Sequence, residues 1–232
     1  MRKMNEPYRV NNIFYSLQGE GRNTGRAAAF VRFAGCNLRC PFCDSEFDSF
    51  STMTADAILS SIASVVGGLS PIVPVVGGLP VDIPTASPSR AKLLVVLTGG
   101  EPTLQVDEPF VDLLHSHGYE VAMESNGTRP APSNLDWLTV SPKHWWKQED
   151  GALGLEDGRR IPDEIKIVFE EDTPARLEAL HLPTTIPHLY LQPCDTGDAD
   201  RNKAIVSTCV DYIKAHPQWR LSLQTHKLIG IE

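Results

Sequence analysis

A series of short apolar, β-branched runs constrains this chain more than any other feature. They are AAAFVRFAG (27–35), LLVVLTGG (93–100), EVAMESNG (120–127), WLTVSPK (137–143), EIKIVFE (164–170), LYLQP (189–193) and RLSLQTH (220–226). Runs of this length and composition read as strands. Helical patterns lie between some of them. One covers 54–66 with Thr54 as its cap, and one covers 109–118, stopped by Gly118. A third covers 201–217 and puts Ile205, Val206, Cys209, Val210 and Ile213 on one face. Such alternation predicts an α/β fold with a largely parallel sheet and helical crossovers.

Most of the runs end in residues suited to chemistry: TGGEP, ESNGT, SPK, QPCD and QTHK. Ligands of parallel α/β sheets and barrels bind at the carboxyl ends of the strands, so one site fed by many strand ends is expected. The segment 67–90 departs from this order. It is dense in Pro and Gly, which rules out a long helix or a central strand. An inserted loop or small hairpin is expected there, within a single domain over 1–232.

The chain has 232 residues, 41% of them hydrophobic, enough for a real core. Its net charge of -8 argues against a general nucleic-acid or membrane-surface binder. No apolar run reaches the length of a membrane span. The N-terminal MRKMNEPYRVNNIFY has basic residues but no apolar stretch behind them, unlike a secretory signal. The expected compartment is the cytoplasm, where clustered cysteines are more often ligands or redox groups than disulfides.

Cys36, Cys40 and Cys43 form C-x3-C-x2-C within GCNLRCPFCDSEF. Thiolates are soft ligands that favour iron–sulfur clusters, zinc or copper(I). A structural zinc site takes four ligands. Cys194 and Cys209 are single and distant, and Cys209 sits on an apolar helical face, where a free cysteine behaves as a small hydrophobe. Three thiolates on a four-iron cubane would leave one iron open for a substrate or cofactor. A closed zinc or cluster site with its last ligand elsewhere in the chain is the other reading.

This loop resembles the cluster-binding loop of the radical S-adenosylmethionine (SAM) superfamily. LTGGEP (97–102) follows one strand later, where that superfamily has its glycine-rich signature. Two glycines there would let backbone approach a ligand with no Cβ in the way. Further blocks narrow the match: IFYSLQGEGRNTGRAAAFVRFAG, ESNGT, LTVSPK, EIKIVF, LQPCD and RLSLQTHKLIGIE. With them the chain resembles the 7-carboxy-7-deazaguanine synthase (QueE) family over nearly its whole length, the 67–90 segment excepted.

The resemblance implies a partial, open parallel β/α barrel of the radical SAM type. It implies a radical SAM lyase that converts 6-carboxy-5,6,7,8-tetrahydropterin to 7-carboxy-7-deazaguanine with loss of ammonia, on the route to queuosine and related deazapurines. A 4Fe–4S cluster, SAM and Mg2+ come with it, as do a homodimer and a flavodoxin- or ferredoxin-type electron donor. No nucleic-acid or membrane partner is implied.

Residue by residue, the cluster falls to Cys36, Cys40 and Cys43. SAM falls to Phe42, Cys43, Asp44, Gly100, Ser141, Pro142, Lys143, Gln192, Pro193, Cys194 and Asp195. The pterin falls to Leu17, Gln18, Gly19, Arg32, Thr98, His226 and Glu232, with only the carboxylate of Glu232 generic. Arg32 also stands out by itself, because a charge in an apolar strand is costly unless paired. Magnesium falls to Ser45, where the family commonly has Thr. Both hydroxyls can ligate a hard cation, but Ser lacks the methyl that restricts the rotamer. No protein nucleophile is expected, since the cofactor carries the radical chemistry. Glu20, Asp44 and Glu101 are either proton carriers or hydrogen-bond partners of loop groups.

Two other readings share parts of this pattern. A glycyl-radical activase has the cysteine spacing and the GGE strand but needs neither SLQGEG nor QTHK. A non-catalytic zinc- or cluster-binding interaction module needs only the cysteines.

Overall fold

The computed structural model describes residues 6–46, 48–67, 75–76, 79–80, 92–143, 160–178, 180, 182 and 184–232. The elements run β1 (Tyr8–Leu17), β2 (Ala27–Phe33), β3 (Ser51–Met53), α1 (Ala55–Val65), β4 (Val75–Val76), β5 (Leu79–Pro80), β6 (Leu94–Gly99), α2 (Glu108–Ser116) and β7 (Glu120–Ser125). They continue with β8 (Trp137–Val140), β9 (Glu164–Phe169), α3 (Thr173–Leu177), β10 (His188–Pro193), α4 (Ala199–Ala215), β11 (Arg220–Leu221) and α5 (Thr225–Ile229). The 67–90 segment lies outside the described residues, save Gly67 and the small antiparallel ribbon β4–β5.

One 9-stranded sheet carries the fold, in the order β11-β10-β9-β8-β7-β6-β2-β1-β3. From β2 through β6 to β11 every pair is parallel. β1 runs antiparallel to both β2 and β3. The sheet ends in two edges and does not close, as the expected open β/α barrel requires. Among the described residues, no helix is long and apolar enough to cross a membrane.

Successive strand residues face opposite sides, and this chain uses the two sides differently. Val31 and Phe33 of β2, Val95 and Leu97 of β6, Val121 and Met123 of β7, and Ile165 and Ile167 of β9 all join the main core. The helices cover that face with Ile58, Leu59 and Ile62 of α1, Phe110, Val111 and Leu114 of α2, and Ile205 and Cys209 of α4. The alternate residues line a cavity at one end, with Arg32, Thr98, Glu124 and Lys166 among them. Adjoining the cavity, Phe14, Ala28, Phe30, Leu94, Val96 and Ala122 form a smaller apolar cluster, of which Phe14, Phe30 and Val96 also line the cavity.

The helices begin where the side chains cap them. Thr54 accepts the Ala57 N–H at 3.2 Å, Asp107 that of Phe110 at 3.2 Å, and Asp198 that of Arg201 at 2.9 Å. Each cap satisfies a donor that has no partner within the helix. Gly118 follows α2 at φ 82, a conformation that favours glycine. On α4, Ile205 and Cys209 are buried as the periodicity predicts, whereas Val206 is exposed. Burial alone pushes the Cys209 thiol up to about 12, in keeping with a core residue.

One expectation needs correction. The run 220–226 is a strand only at Arg220–Leu221. Beyond Ser222, the N–H and hydroxyl of Thr225 both donate to Gly19 O, at 3.0 and 2.8 Å. These bonds draw the chain off the sheet edge and into α5, so His226 sits on a helix rather than at a strand end. The glycines of TGGEP also serve the packing of the protein itself. A Cβ on Gly99 would lie 2.4 Å from Phe33 O, and one on Gly100 would lie 2.0 Å from Gly35 O. They admit backbone to backbone at the root of the cysteine loop, where Gly100 N and Glu101 N donate to Phe33 O and Gly35 O at 2.8 and 2.9 Å.

Gly99 is at φ +109 with no space for a side chain. Gly99→Ala is therefore expected to lower unfolding free energy by about 2–4 kcal/mol. Urea denaturation of the two proteins side by side measures it.

Candidate active site

The polar ends of the strands, the cysteine loop, the loop after β1 and the C-terminal segment enclose one cavity of about 440 Å³. Of the residues singled out in the sequence, Leu17, Gln18, Gly19, Arg32, Cys36, Cys40, Phe42, Cys43, Asp44, Ser45, Thr98 and Gly100 line it. So do Ser141, Lys143, Gln192, Pro193, Cys194, Asp195, His226 and Glu232. Pro142 does not; it is buried behind its neighbours.

The floor is built around Lys166, which is 5% exposed. Its ammonium donates to Glu20 at 2.5 Å and to Glu124 at 2.9 Å. Burial opposes the lysine charge, but Glu124 and Glu20 outweigh it and hold the ammonium above the ordinary lysine range. Burial likewise pushes Glu20 up, yet Lys166 keeps its carboxyl below the usual carboxylate range. Gln18 donates to the other oxygen of Glu124 at 3.2 Å.

The loop after β1 reaches from one side of the open sheet to the other. Gly21 N donates to Ser222 Oγ at 3.0 Å, and Ser222 Oγ donates to Gln192 Oε1 at 2.8 Å. Arg22 N donates to Glu164 Oε2 at 2.9 Å. Gly21 lies flat on the same carboxyl group, since a Cβ there would stand 2.0 Å from Glu164 Oε1. Gly19 likewise gives its side-chain space to the His226 ring, 2.1 Å from where a Cβ would be. SLQGEG is therefore glycine-rich because it packs on other side chains.

Above the floor, Arg32 and Thr98 are register partners on adjacent strands. The Arg32 guanidinium lies 4.8 Å over the Phe14 ring. Among the described residues it has no carboxylate partner, so the cost of its charge is offset only in part by the ring.

The cysteine loop forms the rim. All three of its thiols are free. Cys36 Sγ faces the Leu38 N–H at 3.4 Å and Asn126 Nδ2 at 3.9 Å, the kind of donor that tunes thiolate ligands. Among the described residues, no three His, Cys, Asp or Glu side chains converge closely enough to hold one metal ion. Lys143 Nζ donates to Ser141 Oγ at 2.7 Å and stands 5.6 Å from the Phe42 ring centroid. Burial, with Lys166 nearby, pulls its ammonium below the ordinary lysine range. Ser45 lines the cavity beside Asp44.

The C-terminal segment ties rim and floor together. Lys227 bridges Asp44 and Asp195 at 2.8 and 3.1 Å. Glu232 accepts from Asn12 through its side chain at 2.7 Å and from Ser16 through its main chain at 2.6 Å. Of the acids considered as proton carriers, Glu101 is fully buried and absent from the cavity wall. It accepts from Thr103 N and Oγ1, Ser125 Oγ and Asn126 N at 2.6–3.0 Å, so it braces the strand ends. Glu124, Lys166, Gln224 and Lys227 were not among the expected site residues. The first two were readable, since each is a charge inside an apolar strand run, the same signal that marks Arg32.

Glu164 carries a testable electrostatic signature. Burial, reinforced by the Glu124 charge, pushes its carboxyl up to about 7. A raised carboxyl pKa stabilises the fold fully below the unfolded value near 4.5, and that stability is lost as pH rises through about 7. Glu164→Gln should therefore gain stability over wild type between pH 5 and pH 8, on the order of 2–3 kcal/mol. A pH series of denaturation curves reads this, and parallel curves for the two proteins would contradict it.

No family model matches the chain. It is 40% identical over 223 residues to the 7-carboxy-7-deazaguanine synthase of Bacteroides thetaiotaomicron, covering 96% of this chain and 98% of that protein. It is 40% identical over 238 residues to the 7-carboxy-7-deazaguanine synthase of Nitratidesulfovibrio vulgaris, covering 97% and 99%. A solved structure, QueE from Escherichia coli, superposes with a TM-score of 0.61 at 26% identity, covering 94% of this chain and 93% of that one.

Proposed function

The chain belongs to the 7-carboxy-7-deazaguanine synthase family, and we propose that it works through a 4Fe–4S cluster, SAM and Mg2+ held in the cavity described above. The family's reaction is the radical ring contraction of 6-carboxy-5,6,7,8-tetrahydropterin to 7-carboxy-7-deazaguanine with release of ammonia, a step of queuosine biosynthesis. The enzyme is a radical SAM lyase. The observation that carries the cofactor reading is that three free thiols open on the same cavity as Arg32 and Thr98.

When bound, the cluster and SAM supply a hydrogen-abstracting radical, and magnesium offsets negative charge. The chain's own residues bind, orient and exclude water. Arg32 presents a guanidinium fork to the pterin carboxylate, with the Phe14 ring 4.8 Å beneath it. Thr98, Gln18, the Gly19 backbone and His226 offer in-plane hydrogen bonds to the ring, while Leu17 and Glu232 border it. The Ser45 hydroxyl is a hard-oxygen ligand for magnesium on the wall next to the cluster. Phe42, Cys43, Asp44 and Gly100 receive SAM from the cluster side. Ser141, Lys143 and Gln192 through Asp195 receive it from the strand ends, with Pro142 shaping the turn from behind.

We further place the protein in the cytoplasm, as a homodimer reduced by a flavodoxin- or ferredoxin-type donor. A rim of free thiols suits a reducing compartment. The net charge of -8 is that of a chain without a general affinity for nucleic acid or membrane surfaces.

Anaerobically reconstituted protein, given dithionite, SAM, magnesium and 6-carboxytetrahydropterin, should form 7-carboxy-7-deazaguanine, identified by mass. SAM cleavage without that product would point instead to an activase. Stoichiometric zinc without iron in anaerobically purified protein would point to an interaction module. Arg32→Leu should raise KM for the pterin at least about tenfold, the loss of one charge-assisted pair, while iron content and SAM affinity stay unchanged.

A further inference from the structure

The two ends of the cavity meet on one side chain. Gln224 Nε2 donates to Glu20 Oε1 at 3.1 Å and to Asp44 Oδ2 at 3.0 Å. Glu20 belongs to the floor, where Lys166 holds its other oxygen. Asp44 belongs to the cysteine loop, where Lys227 holds the same oxygen that Gln224 does. An amide nitrogen has two hydrogens, so the two carboxylates take all that this donor has. They also repel one another across it, and each is balanced from its own side, one by Lys166 and the other by Lys227. Anything that shifts Glu20 changes the share of the amide left to Asp44, and the reverse holds equally.

We propose that Gln224 is a positioning residue that couples pterin binding on the floor to SAM binding at the cysteine loop. The inference rests on the assignment of those two ends to pterin and SAM. Pterin contacting the Glu20 loop steadies Gln224 and hence Asp44, so SAM finds its loop already ordered. Linkage makes the effect reciprocal. The chemical benefit is that SAM is held in its productive place chiefly when a substrate is there to receive the radical.

The test is the ratio of SAM dissociation constants without and with 6-carboxytetrahydropterin, on anaerobic, cluster-loaded, unreduced protein. In wild type the pterin should tighten SAM binding at least about fivefold, the lower end of ordinary coupling. Gln224→Met keeps the length and loses the donor. Its ratio should fall to within about twofold of unity, and deoxyadenosine released per product should rise after reduction. Lys227→Met also loosens Asp44 but does not touch Glu20. It should weaken SAM binding equally with and without pterin and keep the wild-type ratio. A wild-type ratio near unity overturns the proposal, as does a wild-type ratio in Gln224→Met, or a ratio in Lys227→Met that falls toward unity as far as that of Gln224→Met. Should the methionine variant fail to load its cluster, Gln224→Asn takes its place, since it keeps the amide but withdraws it by one methylene. Its ratio should fall toward unity in the same way, and an unchanged ratio there overturns the proposal equally. Wild-type turnover with no coupling sinks this inference alone, whereas absence of deazaguanine product sinks the functional assignment.

Discussion

Lys166 and its two carboxylates hold the cavity in shape. An ammonium taken out of water in the middle of β9 is tolerated only because Glu124 of β7 and Glu20 of the loop after β1 meet it. Removing one member of such a buried set costs about 3–5 kcal/mol, because its partner is left charged and unpaired. The backbone bonds that Gly21 and Arg22 make to Ser222 and Glu164 contribute about 1 kcal/mol each. The ionic contacts therefore dominate the placement of the loop, and the loop completes an enclosure that the strands leave open. A fully closed barrel would obtain that enclosure from strand pairing alone. Here, one lysine and a glycine-rich loop do it.

Much of this was legible in the sequence, and the reasons are particular. The parallel strands stand out because they are buried on one face and nearly so on the other, which leaves runs such as LLVVLTGG with little polar interruption. β1 does not. Its Asn11–Asn12 pair sits where the register with β2 shifts, so the period-two pattern breaks in the middle of the strand. The last run, RLSLQTH, alternates well enough for a strand but is overruled by Thr225 binding to Gly19, a contact across 206 positions that no local pattern encodes. The candidate site was more legible than the fold's edges. Its residues stand at strand ends and in the loops that follow them, and the fold brings nearly all of them to one cavity wall. What stayed hidden was the pairing. Lys166 looks in sequence like any charge in a strand, and only the fold shows that Glu20 and Glu124 come to it.

The glycines teach a related point. Gly19, Gly21, Gly99 and Gly100 all lie near the cavity, and each would be taken for a residue that admits a ligand. In each case the missing Cβ is replaced by another part of the protein: the His226 ring, the Glu164 carboxyl, Phe33 and Gly35. These glycines let the walls close on one another. The cavity surface is left to the side chains of the alternate strand positions, the cysteine loop and the C-terminal segment.

That alternation has a consequence for how such a chain can change. In β2, Val31 and Phe33 belong to the core while Arg32 between them faces the cavity. Core and chemistry are written in the same strand at a spacing of one residue. Inserting or deleting a single residue inside β2, β6, β7 or β9 would exchange the two sets, burying charges and turning apolar groups toward the ligand. Changes of length are therefore expected to be tolerated between strands rather than within them, because alternate positions serve two faces, one the main core and the other the cavity with its adjoining apolar cluster.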